Sequence, residues 1–455
     1  MDSAPVCTDV DSVKDMEHRP YLHGVEKDGE EKNFAVDAFG DETNAEIKYK
    51  VLTWWQCGLL MIAENVSLGV LSLPAAVAAL GLAPAIILII GLGVIATYTG
   101  YVLGQFKWRF PQVCNMADAG QVLMGQAGRE ILGIGQLLFF IFIMGSHLLT
   151  FSVALNTLTN HGTCSIVFGV VGLVIAFACS LPRTLANISW FSMISFASII
   201  SAVFITIIGV GIERPNTGVV EAAVDTSLES AFSAVLNIIF SYAGHVAFFS
   251  FMAELRDPRD YPKALCMMQA VEMVLYIVAG VVLYYYAGAD VASPALGSAS
   301  PVVAKVAYGI ALPAILISGV VCGHVAAKGI YTRVFSGTDR VHKRDLVAIG
   351  SWTGIVAGVW IIAWVIAEAI PVFSSLLNLI SSLFASWYSF GLAGFCWLYM
   401  NKGLYTKSWS KILLTIINVA LLGIAACICG LGLYVSGKGI HDNPASASFS
   451  CANNA

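Results

Sequence analysis

Charge is what this sequence has least of. Of 455 residues only 12% are charged while 58% are hydrophobic, about half the charge of a soluble domain. Mean hydropathy is +0.78. That excludes a water-soluble globule and defines a polytopic membrane protein, with the lipid bilayer as its partner. No apolar stretch follows Met1, so no signal peptide is predicted. No basic face stands clear of the membrane-flanking positions, which leaves nucleic-acid binding without support. A His-Glu-x-x-His pair, a nucleophile elbow and a phosphate-binding loop are all missing. Enzyme chemistry and ATP-driven transport therefore lack their groups, and no cofactor or metal is expected. Gly91-Leu-Gly93-Val-Ile-Ala96 mimics a dinucleotide fingerprint, but it lies inside an apolar run with no strand before it.

The formal net charge of −5 is unevenly placed: residues 1–50 hold thirteen acids against six Lys/Arg. Polar and poor in aromatics, this stretch reads as a disordered cytosolic tail. Residues 51–436 form the membrane domain and 437–455 a short outer tail. The eleven cysteines are an odd count and mostly lie in apolar runs, so they read as small buried hydrophobes. Cys164 and Cys451 both fall on the outer side of the topology below, which leaves a bridge between them open.

Eleven runs are long enough to cross about 30 Å of hydrocarbon. Their limits are 54–79, 83–106, 130–158, 164–181, 187–212, 229–253, 264–287, 302–327, 346–368, 372–399 and 410–436. With the amino end inside, the inner flanks collect seventeen Lys/Arg, among them Lys48, Lys107, Arg183, Arg256, Lys328 and Lys402. The outer flanks have only Arg214, Lys305 and Lys438. This asymmetry obeys the positive-inside rule and puts the carboxyl end outside; the sequon at Asn187 then falls on the cytosolic side. Gly100/Gly104, Gly319/Gly323 and Gly354/Gly358 are spaced for close helix packing.

Two spans break the apolar rule. Glu64-Asn65-Val66-Ser67-Leu68-Gly69-Val70-Leu71-Ser72-Leu73-Pro74 puts a carboxylate, an amide, two hydroxyls, a glycine and a proline into span one. An interior proline costs a helix about 3 kcal/mol and a glycine about 1 kcal/mol. Span six carries Phe240-Ser241-Tyr242-Ala243-Gly244-His245. The breaks lie five spans apart, so two five-span halves, about 54–212 and 229–399, enter the membrane in opposite directions, with 410–436 as an extra helix. Matching interrupted spans point to a transporter's midplane site. Freed N–H groups suit a carboxylate and freed carbonyls an ammonium, so a small zwitterion is the expected substrate.

These residues also resemble a family. Asn65 to Pro74, Phe240 to Phe249, and Glu254-Leu-Arg-Asp-Pro-Arg-Asp-Tyr-Pro-Lys-Ala-Leu265 look like signatures of the amino acid/auxin permeases, nearest to fungal neutral amino acid permeases of the methyltryptophan-resistance type. Ser67 stands where many members have the first glycine of Gly-x-Gly. The resemblance implies a leucine-transporter fold with five-plus-five inverted repeats and uptake of neutral aliphatic and aromatic amino acids with protons. The expectation is an all-α protein of eleven transmembrane helices, with helices one and six broken, in the plasma membrane.

The substrate-binding candidates are Asn65, Ser67, Gly69, Val70, Ser241, Tyr242 and Gly244. A carboxyl in hydrocarbon is a functional suspect, so Glu64 is a proton-coupling candidate, as is His245 at the second break. Glu254, Arg256 and Asp260 are candidates for an inner gate; the two prolines nearby also fit a plain structural turn. Glu272, His147 and His324 read as polar glue between helices, and Glu368 as a solvated boundary residue. Sodium coupling, using oxygens near Val66 and Ser318, is the rival mechanism. A solute channel and a nutrient-sensing receptor are the rival classes.

Overall fold

A computed structural model describes residues 50–183, 188–214, 220–335, 338, 345–442 and 448–454. The acidic tail 1–49 and the sequon at Asn187 lie outside the described residues. The helices are α1 (Trp54–Leu80), α2 (Leu82–Arg109), α3 (Met116–Thr159), α4 (Ser165–Cys179) and α5 (Ile188–Glu213). The sixth span forms two helices, α6a (Leu228–Phe240) and α6b (His245–Glu254). Then follow α7 (Tyr261–Ala287), α8 (Pro301–Val334), α9 (Leu346–Ala369), α10 (Phe373–Met400) and α11 (Trp409–Asp442). Among the described residues the sole extended pairing is an isolated parallel bridge between Leu52 and Leu255.

Hydrocarbon forces this outcome, because every backbone group must find its partner within the chain. Among the described residues ten helical spans are long and apolar enough to cross, α6a–α6b counted as one. The fourth expected run forms only the 15-residue α4, shorter than the roughly 20 residues a crossing takes. The third run starts earlier than expected, at Met116, and turns at Gly125 with φ 67°. Polar side chains cap the ends that carry free N–H groups. Asn115 Oδ1 accepts from Asp118 N at 2.9 Å, and Asp345 Oδ1 from Ala348 N at 2.8 Å.

Burial runs opposite to hydropathy. In α1 and in the α6a–α6b span, the two polar-interrupted spans, 89% of the most apolar window is buried, against 22% in α11. The helices least suited to lipid therefore occupy the centre. Of the glycine pairs, Gly100/Gly104 lie against Leu265, Phe248 and Tyr261, and Gly319/Gly323 against His147, Met144 and Trp360. Gly354 and Gly358 face open space, so spacing alone does not make them a packing face. Among the free cysteines, Cys179, Cys266 and Cys427 are exposed rather than buried: small apolar side chains suit a lipid-facing surface as well as a core.

The expected break in span one is corrected: α1 is one continuous helix of 27 residues through Gly69 and Pro74. Neighbouring hydroxyls support its backbone. Ser72 Oγ donates to the Gly69 carbonyl at 2.9 Å, as does Ser241 Oγ at 3.1 Å. Ser318 Oγ donates to the Ala63 carbonyl at 2.6 Å, while Ser67 of α1 donates outward through Oγ to the Ala314 carbonyl of α8 at 3.5 Å. Such hydroxyls let membrane helices tolerate glycine and proline.

Candidate functional site

The second break is real. Between Phe240 and His245 the chain leaves the α-helix, and side chains on α7 and α3 donate to backbone carbonyls in and beside the break while Tyr242 anchors it to α2. Tyr276 on α7 donates to the Ser241 carbonyl at 2.8 Å. Gln136 on α3 donates through Nε2 to the Val246 carbonyl at 2.9 Å. Tyr242 turns its hydroxyl to the Ile89 carbonyl on α2 at 3.0 Å. Buried backbone polar groups left alone cost about 1–3 kcal/mol each, so these contacts hold the break in one shape.

The break lies directly against α1. A Cβ on Gly69 would come within 2.9 Å of Ser241 Cα, a backbone clash, so only glycine allows this approach. A Cβ on Gly244 would sit 3.2 Å from Asn65 Cγ and 3.4 Å from Glu64 Oε2. Asn65 Nδ2 donates to Glu272 Oε1 on α7 at 2.9 Å, which makes Glu272 the interhelical brace the sequence indicated. Among the described residues the Glu64 carboxyl bonds only the Cys322 thiol, at 4.0 Å, and its buried Oε2 has no partner.

Between these elements is a small cavity of about 20 Å³, room for roughly one water and too little for an amino acid. It is lined by Glu64, Asn65, Leu68, Phe139, Ile143, His147, Phe240, Ala243 and Gly244. Two of the seven substrate candidates, Asn65 and Gly244, reach it. Ser67, Gly69 and Val70 lie within the continuous α1, so their N–H groups are not the freed donors expected of a broken helix. Ser241 bonds to α1, and Tyr242 faces α2. His245 is also turned away: its Nε2 lies 2.9 Å from Thr99 Oγ1 and 3.0 Å from the Ala96 carbonyl on α2. The α3 wall was not singled out as a unit. Its signal was the spacing Phe139, Ile143, His147, four apart and on one helix face.

At the end of the bundle where α1 begins, Glu254 pairs with Lys328 of α8 at 2.6 Å, with side-chain exposures of 3% and 13%. Beside it the chain before α1 zips onto the loop after α6b. Leu52 N donates to the Glu254 carbonyl at 3.0 Å and Arg256 N to the Leu52 carbonyl at 2.9 Å. Arg256 Nε reaches the Val51 carbonyl at 3.0 Å. Glu254 and Arg256 thus close this end, with Lys328 as a partner sequence reasoning missed. Asp260 instead pairs with Lys263 one turn away, largely exposed. Asp257 Oδ1 caps the following turn through Arg259 N at 2.9 Å, and Trp108 Nε1 donates to the Pro258 carbonyl.

At the other end a disulfide joins Cys164 to Cys451. Residues 448–454 lie across the ends of α3, α4 and α9. Asn156 Nδ2 donates to Asn454 Oδ1 at 2.7 Å, Ser165 Oγ to the Ala452 carbonyl, and Phe449 N to the Glu368 carbonyl at 3.0 Å. This tail covers Glu368, which is buried at 8% exposure rather than solvated. His324 packs edge-on against Trp352 at 5.4 Å.

A bundle of membrane-crossing helices whose two polar-interrupted spans meet at a discontinuous helix is the architecture of a secondary transporter. The chain belongs to the transmembrane amino acid transporter protein family, whose model matches residues 50–436. It is 38% identical over 431 residues to an N amino acid transport system protein of Neurospora crassa, covering 92% of each chain. It is 29% identical over 234 residues to the amino acid transporter AVT1H of Arabidopsis thaliana, covering 48% of this chain and 51% of that one. In fold it is similar to the crystal structure of MhsT in complex with L-phenylalanine, with TM-score 0.57 and 12% identity over 86% of this chain and 100% of that one. It is also similar to a Na⁺-coupled sialic acid symporter, at TM-score 0.54 and 11% identity over 84% and 91%. The protein is thus a multi-pass membrane amino acid transporter of the leucine-transporter fold, not an enzyme.

Proposed function

We propose that the chain is a proton-coupled symporter importing neutral aliphatic and aromatic amino acids by alternating access. The carrying observation is the cavity where Glu64 and Asn65 of α1 meet Gly244 at the break in span six. Its remaining wall is mostly apolar, through Leu68, Phe139, Ile143 and Phe240, which suits an uncharged substrate side chain. A cavity holding about one water belongs to a closed state, so binding requires α1 and α6a–α6b to move apart from α3. The weak points for that motion are Gly69 and Pro74 in α1 and residues 241–244. The inverted repeats would be 54–212 and 229–399, with eleven crossings in all, α4 included.

Proton coupling is supported by Glu64, a carboxyl in the membrane interior with no cationic partner among the described residues. Sodium is the rival at the oxygens near Val66, where the Ser318 hydroxyl donates to the Ala63 carbonyl and keeps its lone pairs. The Cys164–Cys451 bridge supports an outside carboxyl end, since disulfides persist in oxidising compartments. Plasma-membrane residence follows from that reading.

The test is uptake of labelled leucine or phenylalanine into proteoliposomes under an imposed proton or sodium gradient. Accumulation driven by protons alone is expected. Accumulation driven only by sodium would overturn the coupling, and no uptake of any neutral amino acid would overturn the substrate class.

A further inference from the structure

His147 is the second polar group facing the cavity that has an atom to spare. It sits on α3, 3% exposed, on the same cavity wall as Phe139 and Ile143. One ring nitrogen bonds the Ile315 backbone on α8, and Nδ1 has no partner. A carbonyl can only accept, so the nitrogen facing Ile315 carries the hydrogen and Nδ1 presents a lone pair. The ring is held in place from behind: a Cβ on Gly319 would lie 3.0 Å from His147 Cβ. Glu64 Oε2 is likewise buried and unpartnered. Glu64 on α1 and His147 on α3 line one cavity with room for about one water, and each keeps one unsatisfied titratable atom, an arrangement that a shared proton completes.

We propose that Glu64 and His147 together bind the coupling proton, with His147 taking the part that His245 cannot take from its place against α2. This rests on the proton-symport reading above. One proton is taken from the outer solution onto the Glu64–His147 pair and released to the inner solution once the substrate has crossed; no other bond is made or broken. Substrate entering beside Asn65 and Gly244 adjoins the pair directly, so the charge of the pair and the occupancy of the site are felt by one another. The other titratable groups within electrostatic reach of Glu64 are Glu272 and Tyr276 on α7 and Cys322 on α8. Glu272 is tied to Asn65 and Tyr276 to the Ser241 carbonyl. The α9 groups nearest the His147 helix turn, Ala363, Ile366 and Trp360, carry no charge.

The test compares wild-type protein, His147→Gln and Glu64→Gln in proteoliposomes with labelled leucine. Two readouts are taken: accumulation under a pH gradient of one unit, and exchange at equal pH and equal leucine on both sides. One proton per substrate sustains up to about tenfold accumulation per pH unit. Each variant is expected to lose that accumulation, with the uptake that remains no longer responding to the pH gradient. If wild-type accumulation ignores the proton gradient, the symport reading itself fails. If wild type responds and His147→Gln accumulates equally well, this inference alone fails. Gly319→Ala guards against a His147 variant that does not fold, since it presses on the imidazole and changes no titratable group. Its half-maximal pH for exchange is expected to move by about half a unit, roughly threefold in proton affinity. An unmoved profile overturns the proposal.

Discussion

Replacing Lys328 by methionine isolates what the Glu254–Lys328 pair does. Both side chains are nearly buried, at 3% and 13% exposure, and 2.6 Å apart, so solvent screening is weak. Removing one partner of a buried pair leaves an uncompensated charge and costs about 3–5 kcal/mol. Opening this end re-exposes Glu254 to water and relieves that cost, so the penalty falls on the closed state. At 1.4 kcal/mol per decade, the closed-to-open ratio at this end should fall by a factor on the order of 10² to 10³. Cys57 is a natural reporter: it is fully buried on α1, four residues from Thr53, which precedes the helix. With the exposed Cys179, Cys266 and Cys427 replaced by serine, thiol labelling of Cys57 should rise by at least tenfold in Lys328→Met. The double variant Glu254→Gln/Lys328→Met removes both charges and should return labelling most of the way to wild type. Labelling within twofold of wild type in a folded Lys328→Met protein would refute the assignment of this pair as a gate.

Three further outcomes follow from contacts already described. Gly69→Ala drives a Cβ into the Ser241 backbone; overpacking of this kind costs about 1–3 kcal/mol, and uptake should drop more than tenfold at normal expression. His245→Gln loses bonds to Thr99 and Ala96, so thermal stability should fall by about 1–3 kcal/mol while the pH profile of uptake stays put. Cys451→Ser frees the tail from α4; the expected loss is roughly 2–4 kcal/mol of stability, with new protease cleavage among residues 448–454 and transport retained. Non-reducing peptide mapping of wild type should recover the Cys164–Cys451 pair.

Much of the molecule is legible in the sequence because the bilayer leaves few choices. Eight of the expected runs begin and end within about three residues of a helix or, for span six, of the α6a–α6b pair, and Ser241-Tyr242-Ala243-Gly244 marks the discontinuity in span six without help from structure. The failures share one cause. Gly69 and Pro74 weaken α1 locally, yet hydroxyls from Ser72 and Ser241 hold the Gly69 carbonyl, and Ser241 lies 172 residues away. Glu368 looked solvated because its cover, residues 448–454, is brought back by a disulfide spanning 287 residues. Lys328 read as a flanking charge because nothing near it in sequence identifies Glu254 as its partner.

Sequence by itself determined that this chain is a polytopic helical membrane protein and which two spans are weak, since hydropathy and helix breakers act within one helix length. It also carried the family, through the motifs in spans one and six and the loop that follows. Only the tertiary structure decided that α1 closes into a continuous helix and that His245 faces α2 while His147 lines the same cavity as Glu64. Those outcomes depend on which carbonyls and hydroxyls from other helices meet each group. Side-chain direction around a buried break is set by such partners, and no local pattern encodes them.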